Sequence, residues 1–562
     1  TSRDQFWFPS FDFGRLSSIT TSGLYPYRYR PGCMPATFVV GSIGVAQKKF
    51  LKELQANTIS RGIFTLCDSF WRSFLSSVLS AMPLNMTKLN LRCHEHRVAA
   101  RWMIRIGLKI GRMLLNNQQD DLVSYFKTLS TDCRSYVFNK TLHNKNKAFK
   151  KLYTDYGLPK FMRTDEFLLQ FSRLGRSLPY PTKKVINEAL DAHKKAFSEK
   201  YVINELLNED LERFVTSWKN KNGMKYMNEV VEFTDGSCIE STRRLGGLSD
   251  YLAKVNIELI ADSYMAFGQE KDNKRPSVHL DLPSEVQLTY DKWTRLYNVE
   301  KRKFSSKIDN NLLLNRLEKI ILTDKEPIPK AKIAVVQERG CKARIVTKSP
   351  GAYVAVCHQL RKNIIQMMRK DNCFLSILDG DRKKAIQELF KRKRIPYECI
   401  VYSADLKAAS DYIPFEIAKL VVEKIIEGNS NIGENMKEIC LRSVGPMNLE
   451  YPDGTKFTSQ RGLLMGLPLT WVILSLLNKF AITKAIEVAG YNRPVSYAEY
   501  KICGDDLIYV GIPEVVPIYR RIIIDLGMKL SESGKDLLSR EYGIFTEIIF
   551  RLKSDHLKKK KL

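Results

Sequence analysis

Two adjacent carboxylates, Asp505 and Asp506, follow Gly504 in Tyr500–Val510, Tyr-Lys-Ile-Cys-Gly-Asp-Asp-Leu-Ile-Tyr-Val. Apolar, β-prone arms flank the tripeptide, so the pattern predicts a hairpin with both carboxylates at its tip. Like charges side by side are costly unless a cation stands with them. A divalent ion suits that position, because hard oxygen ligands favour Mg2+ or Mn2+. A third carboxylate ends another short strand, Ile400-Val-Tyr-Ser-Ala-Asp405, which runs on through Leu-Lys-Ala-Ala-Ser to Asp411. The other ligand-like run, Cys93-His94-Glu95-His96, fits no common zinc spacing and reads as a surface helix.

Between the acidic stretches lies Ser459-Gln-Arg-Gly-Leu-Leu-Met-Gly-Leu-Pro-Leu-Thr-Trp471, a glycine-bearing loop that leads into a long apolar helix. The order strand-Asp, glycine loop and helix, Gly-Asp-Asp hairpin resembles motifs A, B and C of viral RNA-dependent RNA polymerases. The wording Ser-Ala-Asp-Leu-Lys-Ala-Ala-Ser-Asp and Arg-Gly-Leu-Leu-Met-Gly-Leu-Pro-Leu-Thr-Trp is similar to the narnavirus and ourmia-like (botourmiavirus) branch. Mitovirus polymerases are close relatives whose motif B reads differently. Asp235–Asp250, with Ser-Cys-Ile-Glu and the pair Gly246-Gly247, resembles an element that ourmia-like polymerases carry ahead of the catalytic motifs. Paired glycines there would let backbone approach a ligand or another segment closely. In Gln337–Thr347, Lys342 and Arg344 are two apart and share one face of a strand. Alone this would be an exposed strand; in this company it resembles motif F, and two cations on one face suit a triphosphate. Leu526–Lys535 resembles motif D and Gly543–Glu547 motif E, so the resemblance covers roughly residues 235–547.

The resemblance implies an α+β right hand of fingers and palm, with an antiparallel palm sheet flanked by helices. It implies RNA-templated RNA synthesis, with RNA template and product and nucleoside triphosphates as partners. Such nucleotidyl transfer uses two Mg2+ or Mn2+ ions about 4 Å apart. Asp405 and Asp505 would hold them, with Asp506 auxiliary and the Leu406 carbonyl as a further ligand. Lys342 and Arg344 would offset the triphosphate. Gly466 and Thr470 would lie at the nucleotide, Arg461 and Gly462 against RNA, and Lys535 would be a proton donor to pyrophosphate. Motif B departs from the general pattern: four residues after Thr470, where a sugar-contacting Asn is often found, stands Leu474. Asp411 with either Ser475 or Asn478 is therefore expected to read the ribose 2′-hydroxyl.

The elements that must position these residues follow from pattern and composition. Residues 45–220 are mostly helical in spacing, as in Arg97–Asn116 and Asp210–Lys219. The polar connections Gln269–Pro283 and Thr323–Lys332 read as loops at a sub-domain boundary. The expected division is a helical N-terminal region and fingers over 1–234, fingers with motif F over 235–399, palm over 400–530, and the end of motif D, motif E and a basic tail over 531–562. Only Ile548–Leu562 follow motif E, so a truncated thumb and poor processivity are expected. The 562 residues carry a formal charge of +29, which points to an anionic partner, nucleic acid first. Tyr25–Gly32 mixes aromatic and basic residues, as in single-strand binders, although a proline-rich turn accounts for it as well. Lys145–Lys151 and Lys383–Arg394 read as solvated basic faces. No stretch approaches the roughly 20 apolar residues of a membrane span. Eleven cysteines without a Cys-x-x-Cys pair favour a reducing compartment, and host cytoplasm is expected over the mitochondrion. Two alternatives remain: a reverse transcriptase, whose hairpin usually reads aromatic-x-Asp-Asp, and a non-catalytic RNA-binding protein derived from a polymerase.

Overall fold

The computed structural model describes residues 94–139, 158–201, 205–224, 231–256, 310–390, 395–490, 497–531 and 537–552, with a few isolated positions besides. Tyr25–Gly32, Lys145–Lys151, Gln269–Pro283, Lys391–Arg394, Lys535 and the tail from 553 onward lie outside the described residues.

A four-stranded antiparallel sheet holds the acidic residues. It consists of β3 (Ile400–Ala404), β7 (Ala498–Cys503), β8 (Asp506–Gly511) and β10 (Leu537–Ser539), in the order β10-β3-β8-β7. Strand β8 is buried on both faces, and its alternation divides two cores. Leu507 and Tyr509 join the larger core, whereas Ile508 and Val510 join a smaller one. The larger core is built on helices α7 (Gly351–Met368), α9 (Phe415–Ile426), α11 (Pro468–Gly490) and α12 (Val515–Asp525). The smaller one contains Ala385, Ile386 and Leu389 of α8 (Arg382–Leu389), whose first turn is capped by Asp381 accepting from the Lys384 N–H at 2.9 Å. Helix α11 is apolar all round and is accordingly buried on nearly every face of its first four turns. Among the described residues no helix is long and apolar enough to cross a membrane.

A second sheet, β2-β1-β5-β6, joins β1 (Lys330–Glu338) and β2 (Lys342–Lys348) to β5 (Asn448–Glu450) and β6 (Lys456–Thr458). The β1–β2 hairpin is antiparallel, and β5 runs parallel to β1. Two short ladders complete the strands: β4 (Leu406–Lys407) with β9 (Lys529–Leu530), and β11 (Tyr542–Phe545) with β12 (Ile548–Arg551).

The helical spacing read before residue 220 corresponds to α1 (His94–Leu115), α2 (Gln119–Asn139), α3 (Asp165–Phe171), α4 (Lys183–Ser198) and α5 (Glu205–Asn222). Trp102, Phe126 and Phe171 centre the first three of these helices. That core also takes in Cys341, Leu537, Tyr542 and Ile549, so the N-terminal helices pack directly on the β1–β2 turn and on β10–β12. The glycine pair works between chain segments: a Cβ on Gly247, at φ +59°, would stand 2.4 Å from the Gly236 carbonyl oxygen. This closed loop presents Glu240, whose Oε2 accepts from the Gly351 N–H at 2.9 Å, at the start of α7.

Candidate active site

Strand pairing sets the acidic cluster. Ala404 pairs with Leu507, which leaves Asp405 beside Asp506 at the next register position. Cys503 pairs with Asp506, so Gly504 and Asp505 form a two-residue hairpin turn. Gly504 takes φ +65°, as the first position of such a turn demands. A Cβ there would lie 2.9 Å from Trp471 Nε1, because the start of α11 butts against the turn. Ser531 holds Asp405 from the far side. Its N–H donates to the Asp405 carbonyl at 3.0 Å and its hydroxyl to Asp405 Oδ2 at 2.8 Å. Because that ladder bond uses the carbonyl of Asp405, the carbonyl of Leu406 points to the opposite edge, away from β9.

The electrostatics reflect this crowding. Burial, then Asp505 and Asp405, raise the Asp506 carboxyl to about 7. Asp505 is raised as well, first by desolvation and then by Asp405, while Lys342 and Arg344 pull it back. Among the described residues no three carboxylate, imidazole or thiol groups close into a ready-made metal cage. The acids are a loose cluster of hard oxygen donors under mutual repulsion, the state that a divalent cation relieves. Carboxylate oxygens are the donor type that Mg2+ or Mn2+ takes.

The loop before α11 stitches the walls together. The Gly462 N–H donates to the Ile413 carbonyl and the Leu463 N–H to the Ser410 carbonyl, each at 2.8 Å. Gly462 has φ +94°, and a Cβ would stand 2.6 Å from the Asp411 carbonyl oxygen, so only glycine fits. Thr347 of β2 donates its N–H to the Met465 carbonyl at 3.1 Å and its hydroxyl to the same oxygen at 2.6 Å. Gly466 lies against Thr347 at φ +119°. Thr470 closes the loop on itself, its hydroxyl donating to the Leu464 carbonyl at 2.9 Å. Asp411 sits in the turn Ala409–Tyr412, where burial raises its carboxyl to about 7 although the Ser410 hydroxyl donates to it at 3.2 Å.

Lys342 and Arg344 lie on β2 opposite Glu338 and Val336, and Arg344 Nε meets Glu338 Oε1 at 2.9 Å. Their hairpin turn rests on the N-terminal region. The Gly340 N–H donates to the Leu178 carbonyl at 2.6 Å and the Cys341 N–H to the Pro179 carbonyl at 2.7 Å.

The structure thus brings Asp405, Asp505 and Asp506 together, with Lys342 and Arg344 in electrostatic reach. Three expected site residues make their contacts inside the protein. Ser475 is fully buried, and its hydroxyl donates to the Trp471 carbonyl of its own helix at 2.8 Å. Asn478 is also fully buried, beneath the hairpin turn: its Nδ2 donates to the Gly504 carbonyl at 3.1 Å and its Oδ1 accepts from the Tyr519 hydroxyl at 2.9 Å. Both side chains are engaged in contacts inside the protein. Arg461, only 4% exposed, donates to the Gly527 carbonyl at 2.8 Å and stacks over Tyr412 and Tyr201. It clamps the loop onto the Gly527 turn. Sequence reasoning missed Ser531, although it lies within the stretch resembling motif D.

Residues 274–547 match a family model described as Mitovirus RNA-dependent RNA polymerase. The RNA-directed RNA polymerase of Saccharomyces 23S RNA narnavirus is 27% identical over 532 residues, 92% of this chain and 52% of that protein. The RNA-directed RNA polymerase of Saccharomyces 20S RNA narnavirus is 27% identical over 391 residues, 67% of this chain and 42% of that protein. The chain spans about half the length of the curated relatives it matches. The matched region holds all the clustered acids and both β2 cations, and by these comparisons the chain is similar to narnavirus-like viral RNA-dependent RNA polymerases.

Proposed function

We propose that this chain carries out RNA-templated RNA synthesis by nucleotidyl transfer, replicating a viral genome in the host cytoplasm. The observation that carries this reading is the meeting of Asp405 with Asp505 and Asp506 from two strand ends, faced by Lys342 and Arg344. In a right-hand reading, the sheet β10-β3-β8-β7 with its helices is the palm. The β1–β2 hairpin and the segments around it are the fingers.

Asp405 and Asp505 would hold two Mg2+ or Mn2+ ions, with Asp506 and the Leu406 carbonyl auxiliary. When bound, such ions lower the barrier by activating the attacking 3′-hydroxyl and neutralising charge on the leaving pyrophosphate. Ser531 fixes the Asp405 rotamer through its 2.8 Å hydrogen bond, so that carboxylate is oriented beforehand. Asn478 fixes the backbone of the Gly504–Asp505 turn from below. Lys342 and Arg344 would bind the incoming triphosphate, Arg344 exchanging Glu338 for phosphate. Asp411, on the loop that carries Gly462 and Gly466, would meet the ribose.

Extension of a primed RNA template with ribonucleotides or deoxyribonucleotides, in Mg2+ or Mn2+, tests the reading. Ribonucleotide incorporation that requires Asp505 supports it. Incorporation of deoxyribonucleotides alone would identify a reverse transcriptase. Tight RNA binding without incorporation would identify a non-catalytic descendant.

A further inference from the structure

The β11–β12 hairpin carries a feature that the acidic cluster does not explain. Phe545 pairs with Ile548, so Thr546 and Glu547 form a two-residue turn. Both have positive φ, +44° and +70°, where glycine or asparagine would be the relaxed choice. A β-branched threonine in that region is a genuine outlier. The strain is held by arginines: Arg173 donates to the Glu547 carbonyl at 2.5 Å and Arg382 to the Thr546 carbonyl at 3.5 Å. The result is that the Glu547 carboxylate is aimed at Arg176, with which it forms an ion pair. Both partners of that pair are solvent-facing, their side chains 51% and 62% exposed.

This pair stands beside the acids. The Ile544 N–H donates to the Ser403 hydroxyl at 2.9 Å, two residues before Asp405. Glu547 and Arg176 are both felt by Asp506, whereas Lys342 and Arg344 are felt by Asp505. The positive groups therefore reach the hairpin tip in two sets. One comes from β2; the other comes from the segment after α3, where Arg173 and Arg176 are joined by Arg134 of α2. Three guanidiniums crowd each other, and Arg134 is lowered to about 10 by burial first and then by Arg176 and Arg173. One exposed carboxylate against such a cluster is the arrangement of a competitor that a stronger anion displaces, since a phosphate offers a guanidinium a bidentate partner of higher charge.

We propose that Arg176, backed by Arg173, forms a second phosphate-binding site beside Asp506, and that Glu547 occupies it in the absence of ligand. The inference rests on the polymerase reading for its ligand, which is either the terminal phosphodiester of the RNA strand or a nucleotide triphosphate. In an in-line displacement the strand and the leaving group lie on opposite sides of the reacting phosphorus. With the β2 cations taking the triphosphate, the Arg176 side would receive the strand.

Equilibrium binding without turnover tests this. The full chain, Arg176→Gln and Glu547→Gln are titrated in EDTA with a labelled RNA oligonucleotide bearing a 5′-hydroxyl and, separately, with labelled ATP. Arg176→Gln should weaken one ligand by about tenfold and reduce its salt slope by about 0.7. Glu547→Gln should strengthen the same ligand several-fold, because the competing carboxylate is gone. A purely structural ion pair predicts the reverse sign for Glu547→Gln: both changes would loosen the turn and weaken binding together. Opposite signs for RNA identify the strand as the ligand, and opposite signs for ATP identify the triphosphate. Equal signs, or no change with either ligand, overturn the proposal. Glu547→Gln is isosteric and exposed, so it reads out even if Arg176→Gln folds poorly. Since no turnover is measured, failure here is distinct from failure of the polymerase reading, which the extension assay decides.

Discussion

Replacing Asn478 by leucine separates the structural role seen for this residue from the sugar-reading role that its position in the sequence suggested. Its amide donates to the Gly504 carbonyl at 3.1 Å, and its oxygen accepts from the Tyr519 hydroxyl at 2.9 Å, all fully buried. Leucine keeps approximately the same volume but leaves both partners without a hydrogen bond. Each such buried group costs about 1–3 kcal/mol, so the hairpin tip should lose roughly 2–6 kcal/mol of local stability. At 1.36 kcal/mol per decade, amide exchange protection in β7 and β8 should fall by about 30-fold at least and by up to roughly 25,000-fold. Hydrogen exchange is the right readout, because a chain of this size has no single two-state unfolding free energy. Mn2+ affinity should fall with it, since the carboxylate of Asp505 moves with the turn. The ratio of ribonucleotide to deoxyribonucleotide incorporation should not change, because the Asn478 amide is spent on Gly504 and Tyr519. A variant with intact strand protection and a ratio shifted toward deoxyribonucleotides would refute this reasoning and restore Asn478 as a sugar reader.

Other substitutions probe the remaining parts of the site. Asp505→Asn should lower incorporation by about a thousandfold, roughly 4 kcal/mol, while RNA affinity measured by filter binding stays within about twofold of the parent. RNA binding itself should weaken steeply with salt, by about 0.7 in the log–log slope for each single-strand phosphate contacted; a flat response would mean that the charge of +29 serves another partner. Gly462→Ala drives a Cβ to within 2.6 Å of the Asp411 carbonyl at φ +94°. It should cost about 1–3 kcal/mol and raise the nucleotide KM, and an unchanged KM would show that the loop does not position Asp411. Asp411 is raised from 3.8 to about 7 by burial, so its contribution to stability is full below about pH 4 and is lost as pH rises through 7. Melting curves should therefore show Asp411→Asn gaining on the parent between pH 4 and pH 8, by up to about 4 kcal/mol; parallel curves would place Asp411 in water.

How much of this was legible in the sequence depended on which property each residue expresses. Backbone geometry was legible. Gly504, Gly462 and Gly466 each take positive φ where another element crowds them, and their spacing from Asp405 and Asp505 marked the loop and hairpin that the structure contains. The strand before Asp405 and the pairing of Lys342 with Arg344 on one strand face were legible too, because period-two alternation survives any tertiary arrangement. Side-chain direction on α11 was not. That helix is apolar on all faces, so its sequence has no polar stripe to say which side meets the Gly504–Asp505 turn. Ser475 and Asn478 are polar residues on a core helix, and burial forced each to find a partner inside the protein.

The same limit explains Arg173 and Arg176. In a chain with 90 lysines and arginines, no single cation stands out by composition. What distinguishes these two is contact with a turn more than 370 residues away in sequence, which only the packing of the N-terminal helices on β10–β12 creates. A visible trace existed on the other partner: Thr546-Glu547 stands at a tight hairpin turn where Asn-Gly would be relaxed. A strained turn that keeps a carboxylate is better evidence of a role than the carboxylate's identity alone, because the strain would be relieved by substitution unless the side chain were needed where it points. By that argument the turn at Thr546 and Glu547 belongs to the working surface of the site, and the N-terminal helices, which carry none of the motifs, belong to it through the arginines they contribute.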